Sequence, residues 1–143
     1  MPVIDSSVYA SVIVKDEFYE KCKKYMLTRK VTLNLAFAEA GNVIWKHVKM
    51  GRIKAEDAVK RAEILKSLID TSKVYESKDF IAEAVDLAVK YDVTVYDALF
   101  VALARRLNEK LVTTDRKLWE KLKDSDISHL IECLQKDFLK LFE

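Results

Sequence analysis

The stretch Val3-Ile4-Asp5-Ser6-Ser7-Val8 decides how the chain is read. Two β-branched residues form a short apolar run, and the acid and two hydroxyl residues that follow read as a strand feeding a helix. The same grammar returns at Leu111-Val112-Thr113, followed closely by Asp115 and a helix over about 116–123. A third short apolar run is Val31-Thr32-Leu33. Between these runs lie helical stretches. One is expected around 16–28. Residues 36–50 place Phe37, Ala40, Ile44 and Val48 at helical spacing, 55–70 do so with Ala58, Ala62, Leu65 and Ile69, and 79–91 with Phe80, Ala84, Leu87 and Tyr91. Residues 97–104 are apolar on every side apart from Asp97, which predicts a buried helix. The last apolar stretch, 127–134, fits a strand or a helix equally. Short strands alternating with helices define an α/β fold, with a short-stranded parallel sheet flanked by helices on both faces and a helix-rich chain.

Composition agrees with that reading. The 143 residues contain two Gly and one Pro, against ordinary usage of about 7% and 5%. Hairpins and glycine-rich phosphate loops need those residues, so an all-β protein is excluded, and no P-loop or dinucleotide fingerprint is present. Half of the residues are hydrophobic, which excludes a disordered chain. The length fits one domain over 1–143, with no linker, repeat or low-complexity segment. No apolar run approaches the roughly 18–20 residues that span a bilayer, and the N-terminus lacks a signal peptide's basic region, so a cytoplasmic location is expected. Charged residues make up 34% of the chain, a hyperthermophile-like level. The net charge of +2 confines any nucleic-acid binding to local patches. Cys22 and Cys133 are far apart and His47 and His129 form no metal-ligand spacing, which leaves zinc and thiol redox chemistry without support.

The informative residues are acids, and position selects among them. Asp5 and Asp115 both follow strands. In open α/β sheets that edge, at the topological switch point, is where ligands bind. Carboxylates converging there form an oxygen-only site suited to Mg²⁺ or Mn²⁺. Each acid also has a plainer reading. Asp5 and Asp115 can cap the helices they precede, Asp97 can be the third residue of a helix capped by Thr94, and Glu39 can be an exposed helix carboxylate.

Four blocks in order resemble the PIN domain, specifically the small VapC-type toxin ribonucleases of prokaryotic toxin–antitoxin pairs, with an archaeal source expected. They are V-I-D-S-S-V with Asp5, A-E-A-G-N-V-I-W-K with Glu39, Y-D-A-L-F-V-A-L-A-R-R-L with Asp97, and K-L-V-T-T-D-R-K-L with Thr113 and Asp115, spanning residues 3 to 118. The resemblance implies a PIN-like fold and metal-dependent endonucleolytic hydrolysis of RNA. It implies Asp5, Asp97 and Asp115 as ligands of Mg²⁺ or Mn²⁺, with Glu39 a further ligand or the residue orienting the attacking water. Ser7 and Thr113 match hydroxyls that fix the acids, and Asn42 is a supporting residue. Asp124 and Asp126 are the weak candidates for a further acid present in some members. Repulsion among four carboxylates is expected to raise at least one pKa. The implied partners are RNA, a second copy of the chain in a homodimer, and a small VapB-type antitoxin that covers the site, with no membrane.

Arg116, Lys117 and Lys46 are the RNA-binding candidates. The basic segment 21–30, with Tyr25, and the pair Arg105 and Arg106 are further ones, each with a solvated helix face as the plainer reading. Trp45 is assigned to the core first, and with Met50 is a candidate antitoxin anchor within 36–70. The alternative to an enzyme is a catalytically silent PIN fold that binds RNA or protein. A phosphoacceptor receiver would need an acidic pair after the first strand, where this chain has Asp5 followed by Ser6-Ser7.

Overall fold

A computed structural model describes residues 1–136. Its elements follow in the order β1 (Val3–Ile4), α1 (Ser6–Val14), α2 (Tyr19–Lys23), a 3-10 turn (Lys24–Leu27), β2 (Val31–Leu33), α3 (Leu35–Lys49), α4 (Ala55–Asp70), β3 (Lys73–Tyr75), a 3-10 turn (Ser77–Phe80), α5 (Ile81–Tyr91), α6 (Val95–Leu107), β4 (Leu111–Thr113), α7 (Arg116–Leu122), a 3-10 turn (Ser128–Leu130) and β5 (Ile131–Cys133). The five strands form one parallel sheet in the order β3-β2-β1-β4-β5. Val3 is in register with Val31 on one side and Leu111 on the other.

Strands of two or three residues make few ladder bonds, so packing has to hold the sheet. Val3, Ile4, Leu33 and Leu111 are wholly buried. Connections from β1 to β3 step one way across the sheet, and those from β3 to β5 step the other. Right-handed crossovers then put α1–α4 on one face and α5–α7 on the opposite one. Consistent with that, α3 packs on both α1 and α4, and α5 packs on α6. Ala98 to Ala104 are all buried in α6, as the continuous apolar run predicts. The stretch 127–134 resolves as a 3-10 turn followed by β5.

Two expectations change. The helix expected over 16–28 is interrupted. Lys15 ends α1 with φ of 55°, its amide bonded to the Ser11 carbonyl, and only the short α2 and a 3-10 turn follow. Strand β3 was not foreseen. Lys73-Val74-Tyr75 lies at the sheet edge, partly exposed, where three residues carry almost no burial pattern. The left-handed helix end at Lys15 recurs at Asp92 and Asn108, which close α5 and α6 with φ of 55° and 54°.

Lys30, just ahead of β2, is only 2% exposed. Its ammonium donates to the carbonyls of Met26 and Thr28 and to Thr71 Oγ1 at 2.9–3.3 Å. The side chain ties the start of β2 to the end of α4. It is therefore a structural cation, not part of an exposed basic surface.

Candidate active site at the strand switch

Strand order reverses between β1 and β4, and that is where Asp5 and Asp115 leave the sheet. Asp5 N donates to the Val112 carbonyl (3.2 Å), so the first acid is tied to the strand that delivers the last. Asp5 caps α1: its Oδ1 accepts from Ser7 N (3.0 Å) and from Ser7 Oγ. Ser7 Oγ in turn accepts from Thr114 N (3.0 Å) and stands 3.4 Å from Thr113 Oγ1. Thr113 Oγ1 accepts from Asp115 N (3.0 Å), and Asp115 Oδ1 caps α7 by accepting from Leu118 N (3.1 Å). Capping and site membership are thus not alternatives for either acid. A carboxylate offers about four acceptor positions, and a cap bond occupies one of them.

Helices α3 and α6 bring the other two acids. Glu39 Oε1 accepts from Ser6 Oγ at 2.6 Å. Asp97 sits in the first turn of α6, its amide held by Thr94 Oγ1 at 3.1 Å. All four acids line one cleft of about 680 Å³, together with Asn42 and Lys46 of α3.

Burial sets the electrostatics. Asp5, 7% exposed, has its pKa pushed up to about 7. Loss of water is the largest cause. Hydrogen bonds from Ser7 and Thr113 oppose it, and the charges of Asp97 and Asp115 add to it. Asp97 is raised to about 6, again by burial first and then by the neighbouring Asp115. The sequence argument expected a raised carboxylate from mutual repulsion. The direction agrees, but burial is the larger cause.

The donor set is oxygen only, with no His or Cys in the cleft. Among the described residues no three Asp, Glu, His or Cys side chains stand close enough to ligate one ion together. An ion here would take one or two carboxylates directly and keep waters on its other positions, which is how Mg²⁺ is ordinarily held. The residues fit such a cation and do not fit zinc.

Several sequence candidates lie elsewhere. Arg105 and Arg106 are both paired with Glu83, and Arg106 also covers the Phe80 ring. No residue of 21–30 lines the acidic cleft. In that segment Lys30 is buried, Lys23 pairs with Glu20, and Lys24 lies over Tyr25. Asp126 accepts from the Tyr91 hydroxyl, and neither it nor Asp124 faces the cleft. Arg116 reaches Glu120 and Gln135, and Lys117 is exposed. Neither of them lines the cleft, which leaves Lys46 as its cation. Trp45 is not in the core. It is 55% exposed, with Lys49 over its ring, and Met50 is 54% exposed.

Two cleft residues with polar groups, Ser6 and Tyr96, escaped the sequence reading. Ser6 was a visible neighbour of Ser7, but nothing local says which of two adjacent hydroxyls turns toward Glu39. Tyr96 precedes Asp97 and lies open at 60% exposure. It lies just ahead of the apolar run 97–104, which has no polar face to show which way a neighbouring ring turns.

The sequence matches the PIN domain family over residues 3–124. It is 36% identical over 121 residues to ribonuclease VapC3 of Pyrobaculum aerophilum, covering 83% of this chain and 92% of that one. It is 31% identical over 127 residues to exonuclease VapC9 of the same organism, covering 88% and 89%. Among solved structures it is similar to one from Pyrobaculum aerophilum, with a TM-score of 0.66, 29% identity and coverage of 86% and 80%. Fold, order of the acids and family match coincide over most of the chain, and this chain belongs to the PIN domain family.

Proposed function

We propose that the chain is a divalent-metal-dependent endoribonuclease acting as the toxin of a VapBC-type pair. The observation that carries this is the convergence of Asp5, Glu39, Asp97 and Asp115 on one cleft at the β1–β4 switch. Burial raises the pKa of Asp5 and of Asp97, so charge on either is costly while unpaired, and a cation that displaces the proton relieves that cost. The names of the relatives, a ribonuclease and an exonuclease, support nuclease chemistry.

In this reading Asp5, Asp97 and Asp115 hold Mg²⁺ or Mn²⁺, some of them through water. When bound, the cation eases deprotonation of the attacking water and screens the phosphate's charge. Glu39 is fixed at Oε1 by Ser6, which leaves Oε2 to accept a hydrogen bond from that water and set its approach. Ser7 and Thr113 hold Asp5 against rotation, and Asn42 and Lys46 meet the sugar–phosphate chain from α3. Arg116 and Lys117 contact phosphates farther along the strand. The proposal extends to one domain over 1–143, a cytoplasmic homodimer, and an antitoxin that blocks the cleft. Among the described residues no helix is long and apolar enough to cross a membrane.

The test is cleavage of single-stranded RNA by the purified chain in Mg²⁺, Mn²⁺ or EDTA, beside Asp97→Asn. Cleavage that needs the cation and collapses in the variant is the expected result. If the wild type cuts nothing with either ion while the fold is intact, the silent RNA- or protein-binding reading replaces it. Mg²⁺ or Mn²⁺ should also raise the Tm of the wild type by linkage, and an equal rise in Asp97→Asn removes Asp97 from the site.

A further inference from the structure

The cleft has more in it than its proposed chemistry uses. Four carboxylates line it against one cation, Lys46. Such a surface repels the phosphates of a nucleic acid. A metal ion can hold the reacting phosphate and Lys46 can meet the chain beside it, but neither holds the uncharged base. The uncharged lining combines Ser6, Ser7 and Asn42 with an apolar and aromatic part, in which Leu35 and Val43 come from α3 and Tyr96 and Phe100 from α6. Tyr96 and Phe100 are four residues apart and share one stripe of the helix. Phe100 is 2% exposed and packs inward, whereas Tyr96 stands 60% exposed next to Asp97. Its backbone lies in a first turn fixed by the Thr94 cap. Among the described residues its hydroxyl has no hydrogen-bond partner and no cation covers its ring. An aromatic ring on a fixed backbone gives contact area at low entropic cost, and a base face has no charge for the acids to repel.

We propose that Tyr96 is a base-stacking residue, on whose ring the nucleobase next to the scissile phosphate lies. The substrate is then RNA that is unpaired at that point. Bases inside an A-form helix are stacked on their neighbours and present no free face, while a cleft of about 680 Å³ is of the size that holds small ligands. Tyr96 is a positioning and specificity residue, and the proposal rests on the nuclease reading for what happens to the phosphate.

Stacking is separable from cleavage, because it needs no ion. The experiment is binding of a labelled single-stranded RNA ten-mer to the full chain in EDTA at about 0.15 M salt, which screens the acids' repulsion of phosphate, followed by fluorescence anisotropy. Stacking is worth about 1–3 kcal/mol per base, so Tyr96→Ala should bind roughly 5- to 100-fold more weakly, while Tyr96→Phe stays near wild type. An oligomer abasic at its central positions should weaken the wild type similarly, and combining it with Tyr96→Ala should add little. A fully paired RNA should bind Tyr96→Ala as it binds the wild type. With Mg²⁺ and single-stranded RNA, the loss should fall on KM more than on kcat. The stacking site is overturned if the wild type does not bind, if the two losses multiply, or if duplex binding falls equally. It is also overturned if Tyr96→Ala binds single strands normally, which leaves the ring to a protein partner. Binding in the expected pattern with no cleavage in either metal supports stacking and sinks the nuclease reading. Cleavage with an unchanged KM in Tyr96→Ala does the reverse.

Discussion

Polar side chains gather at two gaps along the C-terminal edge of the sheet, and the two gatherings differ in kind. Beyond β2 and β3, Asn34 donates to Glu76 Oε2 (3.0 Å) and accepts at Oδ1 from Ser77 N (3.0 Å) and Ser77 Oγ (2.7 Å). Its amide is matched donor to acceptor, and its groups are used up in joining two loops. Beyond β1 and β4, three of the four carboxylates, those of Asp5, Glu39 and Asp115, accept from backbone amides or serine hydroxyls, and acceptor positions remain. The first is a closed polar network and the second an open one. A closed network adds stability and specifies a loop. An open acidic one costs stability and is understandable only if something positive completes it.

The sharpest way to break this contrast is Asp115→Asn. Asn caps a helix nearly as well as Asp, so the fold should hold. RNA cleavage should fall by orders of magnitude, because a charge is lost where cation and phosphate meet. Glu120→Gln, in the helix that Asp115 caps and paired among the described residues with Arg116 and Lys123, is the control and should cleave like wild type. Normal cleavage by Asp115→Asn would reduce that residue to a cap.

The next effect is on stability against pH without metal. Asp5 and Asp97 titrate near 7 and 6 in the folded chain, and near 4 when unfolded. The folded state therefore binds more protons across that interval, and stability is lost as pH rises from about 4 to about 7. The difference in Tm between pH 5 and pH 8 should favour pH 5 by about 5 °C. Asp5→Asn should remove most of that difference and raise Tm at pH 8. If scans of the two proteins run parallel across this range, the open network carries no such cost.

At the closed network, Asn34→Ala should lower stability by about 1–2 kcal/mol in denaturant unfolding, with cleavage unchanged at temperatures where it stays folded. A fall in activity at constant stability would mean that the two gaps communicate. The smallest effect expected is for Ser6→Ala. Freeing Glu39 from the Ser6 hydroxyl should lower kcat by about tenfold, the order of one hydrogen bond to a charged group, and leave KM alone. An unchanged kcat would remove Ser6 from the orientation of Glu39.

The sequence made the fold class legible because the acid-ended strands β1 and β4 and the apolar run Ala98 to Ala104 of α6 are local signals. It hid β3, the shortness of α2 and the left-handed residue that ends α1. A three-residue edge strand has no period to detect, and nothing in Val14-Lys15-Asp16 announces a left-handed residue. For the candidate site, Asp5 and Asp115 could be argued from their place after strands, whereas Glu39 and Asp97 stood out only through the family's blocks. The surroundings of the acids were less readable. Whether Lys30 is buried, whether Arg105 and Arg106 are engaged by Glu83, and whether Trp45 and Tyr96 face outward depend on which helices meet. That is a property of the packed chain, not of any segment.

Lys15, Asp92 and Asn108 end three helices in the left-handed region that glycine normally occupies. A side chain there costs roughly 1 kcal/mol or more. Glycine at the same positions would relax that strain while enlarging the set of conformations open to the unfolded chain, a penalty of about the same size. The two nearly cancel in the free energy of folding, but they do not cancel in how the chain behaves before it folds. With two glycines in 143 residues, the denatured ensemble is comparatively stiff. The scarcity of glycine that first marked this sequence as helical is thus also a property of its unfolded state, where it narrows the search instead of strengthening what is found.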